Sequence, residues 1–418
     1  WSDLSGNVFY NTPLVSDEGK VFFIAQMPDD FLDIAPAPYR FRAVYSSIYP
    51  FNSTDVFSEG YKPGSQYIFP LDDPVPGKYT MWYTNWLIVG DTQANHYYLL
   101  REDLTDSSNN TSFRLGKIGS DNTLIFSSDL ENSNLIPAGT ARPTLRLAAS
   151  GNMNFVAITA DNMNIPLLFQ ASEQVFSEIV FTDPASAFSG YTQKGVALSP
   201  DGNMIYFTST ADLCTSADFD TGKLGLYAYD RNQPSSHKLV AFVGGSTLDS
   251  QVQCAAAAEV VVYRSTLIPD APAGTQIVAA ELDPSGNYVP QWCSPEGLTE
   301  CADPQISADG RFVVFSAIPQ DSSIRQIFRY DHLAGELEQI TWADADAHTP
   351  AISPNGRYVA LVSAATNFGR GDIPLPQVWL ADLGPTLLDA SLDIFQLQTH
   401  ELPITVSGAS ENARITLL

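Results

Sequence analysis

The stretch ISPNGRYVAL, residues 352–361, joins a turn signature, Ser353-Pro354-Asn355-Gly356, to a strand-like run. The same phrase returns as LSPDGNMIYF at 198–207 and as ISADGRFVVF at 306–315. Proline supplies the φ wanted at the second turn position, Asp or Asn suits the third, and Gly takes the left-handed residue that releases the next strand. The phrase therefore encodes a β-hairpin, and its recurrence encodes a repeat.

Looser copies extend the pattern. LVSDEGKVFFIA (14–25) keeps Ser16, Asp17 and Gly19 and reads as carrying one extra residue. LAASGNMNFVAIT (147–159) keeps Ser150 and Gly151, while AAAAEVVVYRST (255–266) keeps the strand without the turn residues. KYTMWYTNWLIVG (78–90) has strand composition and no turn phrase. Unit starts fall near 13, 78, 144, 194, 253, 304 and 350. Their spacing, roughly 45–65 residues, is near or above that of a four-stranded propeller blade. The clearer units carry a second hairpin, such as GLYAYD then HKLVAFV in the fourth. A lone blade cannot bury both sheet faces, and stacking blades around an axis does so.

These readings give one all-β β-propeller over residues 1–390, expected to hold seven four-stranded blades. The irregular stretch 26–143 leaves six or eight open, because the hairpin at 112–129 fits blade two or an additional blade. Residues 391–418 read as closing strands or the start of a further segment, and GNVFYN near the N-terminus is the expected neighbour of the last blade.

Composition narrows the function. Of 418 residues 44% are hydrophobic, enough for a substantial core, and 47 acidic residues oppose 21 basic ones for a net charge of −26. Nucleic-acid binding is disfavoured, since phosphates demand a basic face. No stretch reaches the roughly 20 apolar residues of a membrane helix. The chain starts at Trp1 and reads as a processed protein or a fragment, with export to the periplasm, cell surface or medium expected. Cys214, Cys254, Cys293 and Cys301 form no C-x-x-C pair. Placed on the blades, Cys214 and Cys254 fall on neighbouring loops of one face and Cys293 and Cys301 within one crossing. Disulfides Cys214–Cys254 and Cys293–Cys301 are thus expected.

No G-x-S-x-G elbow, H-E-x-x-H or P-loop is present. The chemistry-bearing stretch is TWADADAHTP (341–350), where Asp344, Asp346 and His348 alternate and an extended chain would put them on one side. With Trp342 as a stacking platform they are candidates for a polar-ligand or metal site on the face opposite the repeated turns. Asp218 and Asp220 of SADFDTGKLG begin a D-x-D-x-G calcium-like loop, but the position of the closing bidentate Glu holds Tyr229. Calcium is thus the one cofactor suggested, and none is required.

The phrases PQISADGRFVVFSA, PAISPNGRYVALVSA and VALSPDGNMIYFTS resemble the repeat of TolB-like β-propellers, and IFRYDHLAGELEQIT resembles that repeat's second half. The likeness is good over about 194–385 and patchy before it. It implies the propeller fold and admits binding scaffolds, substrate-gating domains of serine peptidases and some polysaccharide lyases. The expected role is a non-catalytic extracellular or cell-surface binding or assembly module with a protein partner. The alternative is a lyase acting on a uronate-containing glycan, which would gather His, Tyr and Arg at the channel mouth.

Overall fold

The structure is a computed structural model. It describes residues 13–17, 19, 21–26, 42–47, 66–68, 86–90, 97–104, 111–118, 124–129, 145–160, 166–179, 195–210, 213, 223–233, 237–245, 254–257, 259–267, 274–368 and 377–384. Among these residues seven antiparallel sheets form, within 14–68, 86–129, 145–178, 196–245, 254–292, 298–339 and 347–382; they are numbered 1 to 7 in chain order. Sheets 1 to 6 have four strands each and sheet 7 has three described strands, always in sequential order. The hairpin at 112–129 belongs to sheet 2, where Thr111–Ile118 pairs with both Tyr97–Leu104 and Leu124–Asp129.

The first strands of successive sheets touch one another all the way round, and that of sheet 7 touches that of sheet 1. They therefore lie nearest a common axis. The chain is an all-β propeller.

Strand Phe312–Pro319 shows why the apolar runs are continuous. Val313, Phe315 and Ala317 pack into the seam with sheet 5, beside Val262, Ile277 and Ala279. The intervening Val314 points the other way, into the seam with sheet 7, beside Val359 and Leu361. Each fully buried side chain of this size contributes about 1.5–3 kcal/mol. A strand sandwiched between two seams gains from both faces.

The repeated turns share one hydrogen-bond pattern. In 353–358 the Ser353 hydroxyl donates to Asn355 Oδ1 (2.8 Å) and accepts from Tyr358 N (2.9 Å). Gly356 N donates to Ser353 O (2.9 Å), with Gly356 at φ 76°. Ser199 and Ser307 repeat the pattern with Asp201 and Asp309. Two looser copies are corrected in register. Gly19 N bonds Ser16 O at 3.0 Å, the same three-residue step as elsewhere, so no extra residue intervenes. In the copy at 150–155 the left-handed position belongs to Met153 (φ 56°), with Gly151 at the proline position. Neighbouring turns are stitched together: Asn152 N donates to Pro200 O (3.0 Å) and Ala308 N to Pro354 O (2.9 Å).

The local disulfide is overturned. Cys293 and Cys301 are both free and 0% exposed, part of the apolar seam between sheets 5 and 6. Cys293 N bonds Ile277 O and Cys301 N bonds Thr275 O. The backbone ladder to the third strand of sheet 5 thus fastens the crossing without a covalent staple. The Cys214–Cys254 pairing, the Asp218–Asp220 loop, residues 78–85, GNVFYN and 391–418 lie outside the described residues or side chains.

Candidate functional site

In sheets 1, 4, 6 and 7 the first strand runs into a Ser-x-x-Gly turn. Its beginning, the crossing from the preceding sheet and the loop between strands two and three must therefore share the opposite face. The crossing 340–346 joins sheets 6 and 7 on that face.

The sequence pattern made this segment extended; the structure turns it and starts the strand at Ala347. A buried glutamine is responsible. Gln326, 5% exposed, accepts from Thr341 Oγ1 (2.8 Å) and Ala343 N (2.8 Å) through Oε1, and donates Nε2 to Ala343 O (2.9 Å). Thr341 Oγ1 also accepts from Ile327 N (2.9 Å). With Thr341, Ala343 and Ala347 anchored inward, Trp342 is left 68% exposed. Its carbonyl accepts from Asn367 Nδ2 at 2.7 Å, which fixes the backbone from the neighbouring loop.

The three alternating residues do not converge. Asp344 faces the loop at 366–367, accepting from Thr366 N (2.7 Å) and from the Thr366 hydroxyl. Those bonds, the hydroxyl foremost, hold its carboxyl below the usual aspartate range. Asp346 Oδ1 accepts from Arg325 N at 2.8 Å, while Ala347 N returns a bond to Arg325 O at 2.9 Å. His348, part-buried, faces the inner strand of sheet 6. Burial pushes its pKa down; Asp303 and Asp346 pull it up and Arg325 pushes it down again. The imidazole is therefore neutral near pH 7, able to donate from one nitrogen and accept at the other. Among the described residues no three His, Cys, Asp or Glu side chains gather as a metal site.

What surrounds His348 comes from elsewhere in the chain. Asp303 Oδ2 accepts from Ser316 Oγ (3.1 Å) and Thr349 N (3.3 Å). Arg325 donates to Glu300 O (2.6 Å), Ser316 Oγ (3.3 Å) and Glu300 Oε2 (3.2 Å). The inner strands of both sheets bulge here, one between Ala302 and Gln305 and the other between His348 and Ala351. Asp303 (φ 56°) and Thr349 (φ 47°) take the left-handed conformation at matching positions, each followed by a proline. Bulges re-aim side chains, and non-glycine residues in this region store strain.

Glu300, Asp303, Ser316 and Arg325 escaped the sequence reading. One signal was available: DPQIS (303–307) and TPAIS (349–353) place Pro304 and Pro350 three residues before the turn serine. That marks two equivalent interruptions in strands that should otherwise be regular.

The comparisons agree with this architecture. The chain is structurally similar to TolB and to other β-propeller proteins. The propeller domain of the trilobed protease from Pyrococcus furiosus aligns at TM-score 0.52 and 7% identity, over 90% of this chain and 95% of that one. Prolyl oligopeptidase B from Galerina marginata aligns at TM-score 0.54 and 11% identity over 90% of this chain, which spans about half (49%) of that protein. TolB from Acinetobacter baumannii aligns at TM-score 0.42 and 14% identity, over 72% of this chain and 80% of that one. At such identities the likeness is one of fold. No protein-family profile and no curated protein sequence matches the chain.

Proposed function

We propose that the chain is a seven-bladed propeller acting outside the cytoplasm as a non-catalytic binding or assembly module, with a protein as its partner. The observation that carries this is Trp342, the largest side-chain type, held 68% exposed on a crossing whose backbone is fixed from three directions by Gln326, Asp344 with Thr366, and Asn367. A preorganised, exposed aromatic is how protein interfaces anchor themselves. The seven-blade count is supported by the closed circuit of first-strand contacts.

The test uses paired baits. Wild-type chain and the Trp342→Ala variant are incubated with the envelope and secreted fractions of the native source. A partner held by the wild type, lost with Trp342→Ala and kept by Leu333→Ala is the expected result. Leu333 is 77% exposed on the turn face and serves as the control. Equal capture by wild type and Trp342→Ala defeats the proposal. A lyase would instead raise the ultraviolet absorbance of polygalacturonate as unsaturated ends form, and the expected trace is flat.

A further inference from the structure

We infer that the partner seats a lysine or arginine side chain on the Trp342 indole, so that a basic segment of a protein docks on this crossing. The inference rests on the binding-module reading and adds the chemistry of the partner.

The argument begins with what the indole lacks. Its neighbours Thr341 and Ala343 are buried, so its exposure is imposed by the backbone and leaves a π face open to solvent. A tryptophan face attracts cations through the negative lobe of its quadrupole, and more strongly when contact removes water. The same chain uses this contact internally: the Arg231 guanidinium lies 3.6 Å from the Phe155 ring centroid.

Charge then selects among the ligands that stack on aromatics. Asp344 and Asp346 follow Trp342 on the same crossing and are exposed, and the Glu300 side chain, 68% exposed, lies on the adjoining inner strand. Among the described residues, Arg325 is the cation beside this crossing, and it is 19% exposed and already committed to Glu300 and Ser316. It has no vacant fork with which to receive an acidic ligand. The net charge of −26 adds a long-range field that speeds the approach of cations and opposes polyanions. A uronate polymer is disfavoured by the same field, and a neutral sugar, though its hydroxyls could donate to these carboxylates, would gain no ionic attraction from them.

The test is fluorescence anisotropy of a dye-labelled short oligolysine titrated with wild type, Trp342→Ala, Trp342→Phe and Leu333→Ala, at low and raised salt. Oligoglutamate and a neutral xylo-oligosaccharide serve as competitors. Oligolysine should bind the wild type and the Leu333→Ala variant alike, about tenfold more weakly with Trp342→Ala, and to an intermediate degree with Trp342→Phe. Raised salt should weaken every case. Unchanged affinity in Trp342→Ala would mean diffuse attraction to an acidic surface and overturns the inference. Displacement by xylo-oligosaccharide lost in Trp342→Ala also overturns it, in favour of sugar stacking. Either result leaves the binding module standing, whereas cleavage of polygalacturonate removes the non-catalytic reading itself.

Discussion

The backbone N–H of Asn355 donates to the carboxylate of Asp17 at 2.7 Å, across 338 residues of sequence. Asp17 stands where other turns have Pro200 or Pro354, whose carbonyls likewise receive a bond from the turn of the preceding sheet, from Asn152 N and Ala308 N. Around it Val15 and Val21 of sheet 1 pack on Ala351, Tyr358 and Ala360 of sheet 7. Consecutive sheets are also joined by their covalent crossings, while this seam unites the two ends of the circuit. Replacing Asp17 with Ala should lower stability by about 1.5 kcal/mol, the scale of a hydrogen bond to a charged group. A urea titration measures it, and an unchanged midpoint would show that the apolar contacts close the ring unaided.

The turn glycines are packing sites as well as conformational ones. A Cβ on Gly356 would lie 2.4 Å from Phe312 Cδ2, and one on Gly202 2.4 Å from Phe155 Cδ2, each ring belonging to the preceding sheet. Arg329 Nη1 donates to Gly356 O (3.1 Å) while its guanidinium lies 4.8 Å from the Phe312 ring centroid. Gly356→Ala therefore combines left-handed strain with a clash, and a loss of about 2–4 kcal/mol is expected. Gly297→Ala isolates the strain, because Gly297 has φ 94° and nothing within 4 Å of its Cβ position. It should cost about 1 kcal/mol. Equal denaturation midpoints for the two variants would refute the packing role.

How far the sequence carried these conclusions depends on the range of each interaction. The hairpins at 198–207, 306–315 and 352–361 were legible because serine, Asx and glycine close the turn among themselves. The copy at 150–155 was misregistered, since Gly151 looks like the left-handed residue and Met153 fills that place. The site was less legible. Asp344, Asp346 and His348 were marked by alternation, yet Gln326 bends the crossing and sends them to different partners. Asp303 and Arg325 meet His348 only because the inner strand of sheet 6 and the start of its third strand pack beside the inner strand of sheet 7, which no local pattern encodes.

Acid should act on His348 before it acts on the carboxylates. Its folded pKa lies below 6.5, chiefly through burial. The unfolded chain thus binds more protons over the window between that lowered value and 6.5, and stability falls as pH drops through it. Asp201, Asp331 and Asp344 have depressed pKa values, so their contribution is present above 3.8 and lost at lower pH. His348→Gln should flatten the first decline and leave the second. Chemical denaturation at a series of pH values resolves the two, and an unaltered decline below 6.5 in the variant would reassign the first step.

The two thiols of the sheet 5–6 seam make a chemical prediction. Burial raises the Cys293 thiol to about 12 and the Cys301 thiol to about 11, partly offset at Cys301 by the Ser294 hydrogen bond, Arg325 and Arg264. The thiolate is the nucleophile, and at pH 8 almost none forms at either position. Both residues are also 0% exposed. Iodoacetamide should therefore leave them unmodified in the folded chain and label both in denaturant, without any reductant having been added. Peptide mass spectrometry reads the outcome directly. A 293–301 cross-linked peptide from the unreduced protein would restore the local disulfide that the sequence suggested.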